Sequence, residues 1–201
     1  MRIRSYFLAG AALMLILFLS ACALPPQAKY LHPEFGRDQI HTVAVLPVID
    51  ARLDQTEQID LSEYFILPLR EALEKKGYRV MISSPATPLS PSVTDAQLAS
   101  LVPDGTDAMI ALFLKDFRSD WQWKLILATY EFQAQLEGKL ISKPRGVVWY
   151  HTETTTHRAG GLLDALLTQA LAPKQGSKTC VHNLLATLPD AHSASSSEAR
   201  P

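Results

Sequence analysis

Apolar and polar residues alternate along residues 124–140. Ile126, Ala128, Tyr130, Phe132, Ala134 and Leu136 share one side. The other side starts apolar, with Trp123, Leu125 and Leu127, and turns polar at Glu131, Gln133 and Gln135. A period of two over this length is a β-strand, because successive side chains point to opposite faces. The change of character along it describes a strand buried on both faces at first and wet on one face later, projecting past the helices that cover it. Residues 142–146 read as a loop and residues 147–156 as the returning strand, so the second half holds a long antiparallel hairpin.

The first half has a different rhythm. Residues 41–47 are a β-branched apolar run ended by Pro47, a strand buried on both faces. Asp60 and Glu63 have the capping-box spacing for a helix starting at Leu61. Leu61, Phe65, Leu69, Ala72 and Leu73 form its stripe, Pro68 predicts a kink or a later start, and Gly77 ends it. Residues 78–83 are a second strand. Thr94 and Gln97 cap a short helix to about residue 101, Pro103, Asp104 and Gly105 make a turn, and residues 108–114 form a third strand. Strand–helix–strand–helix–strand argues an α/β fold with a mixed sheet. Beyond the hairpin, Leu162, Leu163, Leu166, Leu167, Ala170 and Leu171 form a wide helical stripe ended by Pro173. A last helix covers about residues 178–188.

The N-terminus sets the compartment. Arg2 and Arg4 precede an apolar run over residues 6–19, shorter than the about 20 residues of a spanning helix. The run ends in Leu19-Ser20-Ala21-Cys22, which resembles the bacterial lipoprotein lipobox. That resemblance implies that residues 1–21 are removed and Cys22 is lipidated. Ala23, not Asp, follows the cysteine, which implies sorting to the outer membrane, with the domain facing the periplasm. Several acyl chains at about 0.8 kcal/mol per buried methylene make a lasting anchor. Residues 22–38 contain Pro25, Pro26 and Pro33 and read as a tether. Residues 39–189 form one α/β domain, and residues 190–201 a serine-rich disordered tail.

Composition excludes several classes. The whole chain has 19 basic and 20 acidic residues, so there is no basic surface for nucleic acid. The two cysteines are too few for a disulfide scaffold or a four-cysteine zinc site. Cys180 reads as a buried small hydrophobe on a helix. The chain lacks G-x-S-x-G, H-E-x-x-H, a phosphate loop and a dinucleotide fingerprint, and no catalytic residue or cofactor is expected. Three constellations remain. His151, Glu153, Thr155 and His157 alternate on one strand face, either as weak metal ligands (His151, Glu153, His157) or as a wet face of the hairpin. Asp104 and Asp107 are either an acid–base pair or turn residues. Trp121, Trp123 and Trp149 serve either core packing or a partner-binding surface.

Several pieces in order carry a wider resemblance: residues 43–47, Leu67-Pro68-Leu69 through Lys76-Gly77-Tyr78-Arg79-Val80, Gly105-Thr106-Asp107-Ala108, and Leu140 through Gly146-Val147-Val148-Trp149. The chain resembles a family of bacterial lipoproteins of unknown function whose fold is like the N-terminal domain of TolB. Curli-secretion-channel-like lipoproteins and activators of peptidoglycan synthases are related to it. The resemblance covers about residues 41–171. It implies a non-enzymatic accessory or assembly subunit of an envelope export or transport machine. The implied protein partner is a curli-channel-like or transporter subunit. The alternatives are an activator of peptidoglycan synthesis and a metal-dependent envelope hydrolase.

Overall fold

The computed structural model describes residues 27–37, 39–53, 60–85, 87–124 and 127–191. The signal segment, Cys22, the first part of the tether, Leu125 and Ile126, and the serine-rich tail from residue 192 lie outside the described residues.

Residues 108–114 carry apolar side chains at every position, and both faces of this strand are buried. Ala108, Ile110, Leu112 and Leu114 enter the larger core, while Met109, Ala111 and Phe113 enter a smaller one. It is the start of β5 (Ala108–Lys124). Around it lies one mixed seven-stranded sheet of order β1-β7-β6-β5-β2-β4, with β3 also on β5. The other strands are β1 (Tyr30–Leu31), β2 (Thr42–Val45), β3 (Ile49–Asp50), β4 (Arg79–Ile82), β6 (Leu127–Ser142) and β7 (Gly146–Gly160). Strands β2, β3 and β4 join by parallel pairing, and β5, β6, β7 and β1 by antiparallel pairing. The α/β fold with a mixed sheet expected from the element order is therefore present. Pro47 does not end the first strand for good. It interrupts one line of pairing that resumes on β5 as β3, because only the Pro47 donor is missing.

The hairpin is larger than the sequence pattern suggested. β5 runs on to Lys124 and pairs with the whole of β6, so residues 124–140 are not one strand: Lys124 ends β5 and β6 begins at Leu127. Residues 115–121 have mixed polarity because only one face is covered. Phe117 is buried and Trp121 half-buried, while Arg118 is exposed.

Asp60 starts the first helical segment, its Oδ1 accepting from the Ser62 and Glu63 amides, both at 3.0 Å. A π-helical turn, Ser62–Ile66, leads into α1 (Leu67–Lys75) with Pro68 in its first turn. The wide turn accommodates a proline that lacks a donor and crowds the carbonyl four residues back. In α2 (Asp95–Ser100) the Thr94–Gln97 capping box is complete. The two C-terminal helices expected from Pro173 are a single helix, α3 (Leu162–Ala186). An internal proline costs about 3 kcal/mol. Burial of Ala165, Ala172, Cys180, Val181 and Leu184 against the sheet outweighs it.

The α1 and α3 helices cover one face, and the short α2 covers only the lower part of the other. α3 crosses β6 at Gly176, where a Cβ would lie 2.3 Å from the Phe132 ring. Its end is held by Lys76, which donates to the Leu188 carbonyl at 2.7 Å and to Asp190 at 2.9 Å, and by the Tyr78 hydroxyl on the Pro189 carbonyl at 2.6 Å. No described helix is long and apolar enough to cross a membrane.

The tether reading of residues 22–38 needs correction. Tyr30 and Leu31 pair with Tyr150 and Trp149 at the sheet edge, and Phe35 is buried. Apolar side chains spaced among prolines made this segment look loose, and only the open edge of β7 gives its backbone a partner.

Candidate functional site

The polar face of β7 is only partly exposed. His151, Glu153, Thr155 and His157 point toward α3, which lies over them. Thr155 is buried, and Cys180 Sγ sits 3.7 Å from the Ala134 carbonyl and 3.8 Å from that of Glu153. The covering helix was legible; where it would lie was not. Glu153 accepts from Asn183 Nδ2 at 3.3 Å and lies 3.9 Å from His151 Nε2. His151 Nδ1 and His157 Nε2 are buried with no hydrogen-bond partner among the described residues.

The metal reading fails on geometry. His151 and His157 are six strand positions apart, about 20 Å. Among the described residues no three His, Cys, Asp or Glu side chains converge to hold a metal. Burial pushes the Cys180 thiol up to about 12, so it stays protonated and is no nucleophile at neutral pH. The cysteine is the small buried helix residue expected from the sequence.

Burial also holds His151 below the ordinary histidine value of 6.5. Glu153 opposes the shift and Lys29 adds to it. His182 is lowered by burial and then by Lys75 and Lys178. A histidine whose folded value is lowered takes up its proton first in the unfolded chain. Stability contributed by these groups is full above about pH 6.5 and is lost as the pH falls through that value toward the folded ones. The thermal midpoint is therefore expected to drop between pH 7.5 and 5.5. The drop should shrink in a His151→Gln, His182→Gln protein; an equal drop would show that other groups cause it.

Asp107 is a structural clamp rather than half of a carboxylate pair. Its Oδ2 accepts from the amides of His41 at 2.9 Å and Thr42 at 2.7 Å, pinning the start of β2 beside β5. Asp104 instead meets Lys143 at 2.9 Å across the lower turns. Asp107→Ala leaves two backbone donors without this acceptor and is expected to cost about 1–3 kcal/mol in chemical denaturation. Asp107→Asn should cost less, since one acceptor remains.

The three tryptophans do not form one surface. Trp149 is fully buried, with Nε1 donating to Thr187 Oγ1 at 3.2 Å, so it is a core residue and not part of a partner surface. Trp121 packs edge-on against Tyr130 at 5.6 Å, and Trp123 pairs with Ala128 near the hairpin tip. Trp149 is level with Ile110 through Leu140, so Trp121 lies about 35 Å away along β5.

The wide apolar stripe at the start of α3 left open which of its sides meets the sheet. Ala165 and Ala172 face inward, and Leu166, Leu167 and Leu171 are 51%, 69% and 54% exposed. The available signal was the pair of alanines at a seven-residue spacing, small enough for close approach to the sheet. At the carboxyl ends of β2 and β4 lies an apolar cavity of about 500 Å³ lined by Pro47, Ile49, Pro85, Pro88 and Leu89. The Asp50 carboxylate on its rim is neutralised by Arg52 at 2.8 Å.

Fold and site define an α/β protein with a mixed seven-stranded sheet, a half-buried polar cluster under its long helix, and apolar side chains exposed at that helix's start. No family model matches the chain, and no curated protein matches it. Solved structures similar to it include bacterial lipoproteins. The PelC dodecamer of Paraburkholderia phytofirmans is 14% identical over 82% of this chain and 96% of that one, with a TM-score of 0.45. Lipoprotein GNA1162 of Neisseria meningitidis is 14% identical over 66% and 95%, with a TM-score of 0.40. A minor lipoprotein of Acinetobacter baumannii is 9% identical over 73% and 85%, with a TM-score of 0.38.

Proposed function

We propose that this chain is a lipoprotein held in the outer membrane by acyl chains on Cys22 and facing the periplasm. In this reading it is a non-enzymatic accessory or assembly subunit of an envelope export or transport machine, of the TolB N-terminal-like, curli-channel-related kind. Its partner is a curli-channel-like or transporter subunit. The observation that carries this is the Leu19-Ser20-Ala21-Cys22 tetrapeptide behind Arg2, Arg4 and a short apolar run. The site supports it: the thiol is protonated, the histidines stand apart, and the carboxylates of Asp107 and Asp50 are occupied by structural partners. The domain also lies close to the bilayer, since only four residues lie between Cys22 and Gln27, the first described residue.

Cys22→Ala is expected to accumulate as full-length precursor, while the native chain yields a mature form with acylated Cys22. A Cys22→Ala protein that is still cleaved and acylated sinks the anchor. In-cell crosslinking should then enrich an export or transport subunit with the native chain over Cys22→Ala. Recovery of cell-wall synthases instead would replace this reading with activation of peptidoglycan synthesis.

A further inference from the structure

The strands give the molecule two ends. At the lower end are the turns around Asp104 and Lys143, 96% and 62% exposed and paired with each other. At the upper end are the β5–β6 tip, the end of β7 and the start of α3. The lower end shown is charged. The upper end carries Leu166, Leu167 and Leu171, all more than half exposed.

These leucines fall within about 140° of the helix circumference, at 100° per residue. The same outward sector continues as Lys174 and Lys178, paired with Glu63 at 2.8 Å and Glu71 at 3.4 Å. Apolar character is thus confined to the first turns of α3 and gives way to charge farther down. At the same end, β5 and β6 place Trp123 opposite Ala128 and Lys124 opposite Leu127 at the last pairs of the ladder.

The position of the anchor selects the occupant of this surface. Tyr30 pairs with Tyr150 and Leu31 with Trp149 in antiparallel register, so the chain before Tyr30 heads up β7. Ala28 packs on the main core and Lys29 acts on His151, consistent with that course. Continuing the register puts Gln27 level with Glu153. The five residues from there to Cys22 span at most about 17 Å, which reaches the level of Arg158. The lower end, at Gly146, is about 23 Å from Glu153 in the opposite direction, beyond that reach.

We infer that Leu166, Leu167 and Leu171 form a second membrane contact seated in the headgroup region of the phospholipid bilayer that holds Cys22. This inference rests on the anchor proposed above. Two contacts in place of one fix the orientation of the domain. The long axis of the hairpin stands upright on the bilayer, and the lower end, with the cavity beside β2 and β4 below the tip, is presented to the periplasm.

The test uses the acylated mature chain as cells process it, reconstituted through its acyl chains into vesicles of phosphatidylethanolamine and phosphatidylglycerol. Acylation protects Cys22 and burial protects Cys180, so a bimane label goes only to an introduced cysteine. Labels at Leu167→Cys and Leu171→Cys are expected to be quenched several-fold more by headgroup-region spin-labelled lipid than one at Asp104→Cys. Equal quenching at all three sites, with acyl mass present on Cys22, overturns this inference alone. A Leu167→Cys label that is shielded in proportion to protein density but insensitive to spin-labelled lipid overturns it in favour of contact with a second copy. Absence of acyl mass from Cys22 overturns the anchor and this inference together.

Discussion

Trp149→Ala is expected to cost about 3–5 kcal/mol in urea denaturation, a large share of the about 5–15 kcal/mol that a domain of this kind has. Trp149 is completely buried, and its ring lies over Gly138, where even a Cβ would come within 3.0 Å of it. Truncation leaves a hole between β6, β7 and Leu184 of α3, and a rigid two-layer contact cannot close over it. It also removes the donor to Thr187 Oγ1. Trp149→Phe keeps most of the volume and loses that hydrogen bond, so about 1–2 kcal/mol is expected from the hydrogen bond and the unfilled rim. A partner-surface tryptophan would behave oppositely: Trp149→Ala would leave the denaturation midpoint unchanged. That outcome would refute the burial described for it.

Gly176→Ala should reverse the usual rule for helices. Replacing an interior helical glycine by alanine ordinarily gains about 1 kcal/mol. Here the added Cβ would stand 2.3 Å from Phe132 Cε1 and 2.6 Å from Cδ1. The ring cannot swing aside, being fully buried and held edge-on by Phe117 at 5.1 Å. Overpacking of a tight core costs about 1–3 kcal/mol, and here α3 must lift from the sheet, so a net loss of about 2 kcal/mol is expected. In a Phe132→Leu background the clash is relieved, and Gly176→Ala should turn neutral or stabilising. The sign change between backgrounds is the readout. A gain in both would mean that helix and sheet do not approach this closely.

Much of the architecture was legible because local patterns and tertiary outcome agreed. The two-sided apolar run at residues 108–114 is a central strand, and the Thr94–Gln97 spacing caps a helix. Where they disagreed, long-range partners decided. Residues 115–121 alternate weakly because one face is wet, and only pairing with β6 identifies them as strand. Pro173 reads locally as a helix end, yet α3 passes through it because the alanines, Cys180 and Leu184 on its inner side bury against the sheet. Of the candidate sites, the grouping on β7 was legible as a shared face. That face lies partly covered by a helix, and the separation of its histidines follows from strand geometry. The exposed leucines were missed because a stripe of six apolar residues says nothing about which side meets the sheet. The small volumes of Ala165 and Ala172 settle it in favour of the inner side.

The sequence by itself determined the properties that depend on neighbours along the chain: the lipobox-like tetrapeptide ending at Cys22, the strand and helix periodicities, the caps and turns, and the thiol on a helix. These depend on spacing and residue type alone. Only the tertiary structure decided which faces are buried, that Tyr30 and Leu31 close the sheet edge, that Trp149 belongs to the core, and that Leu166, Leu167 and Leu171 face outward. Those outcomes depend on register and on close approach between segments distant along the chain, where a single glycine or alanine sets the distance and no local pattern records it.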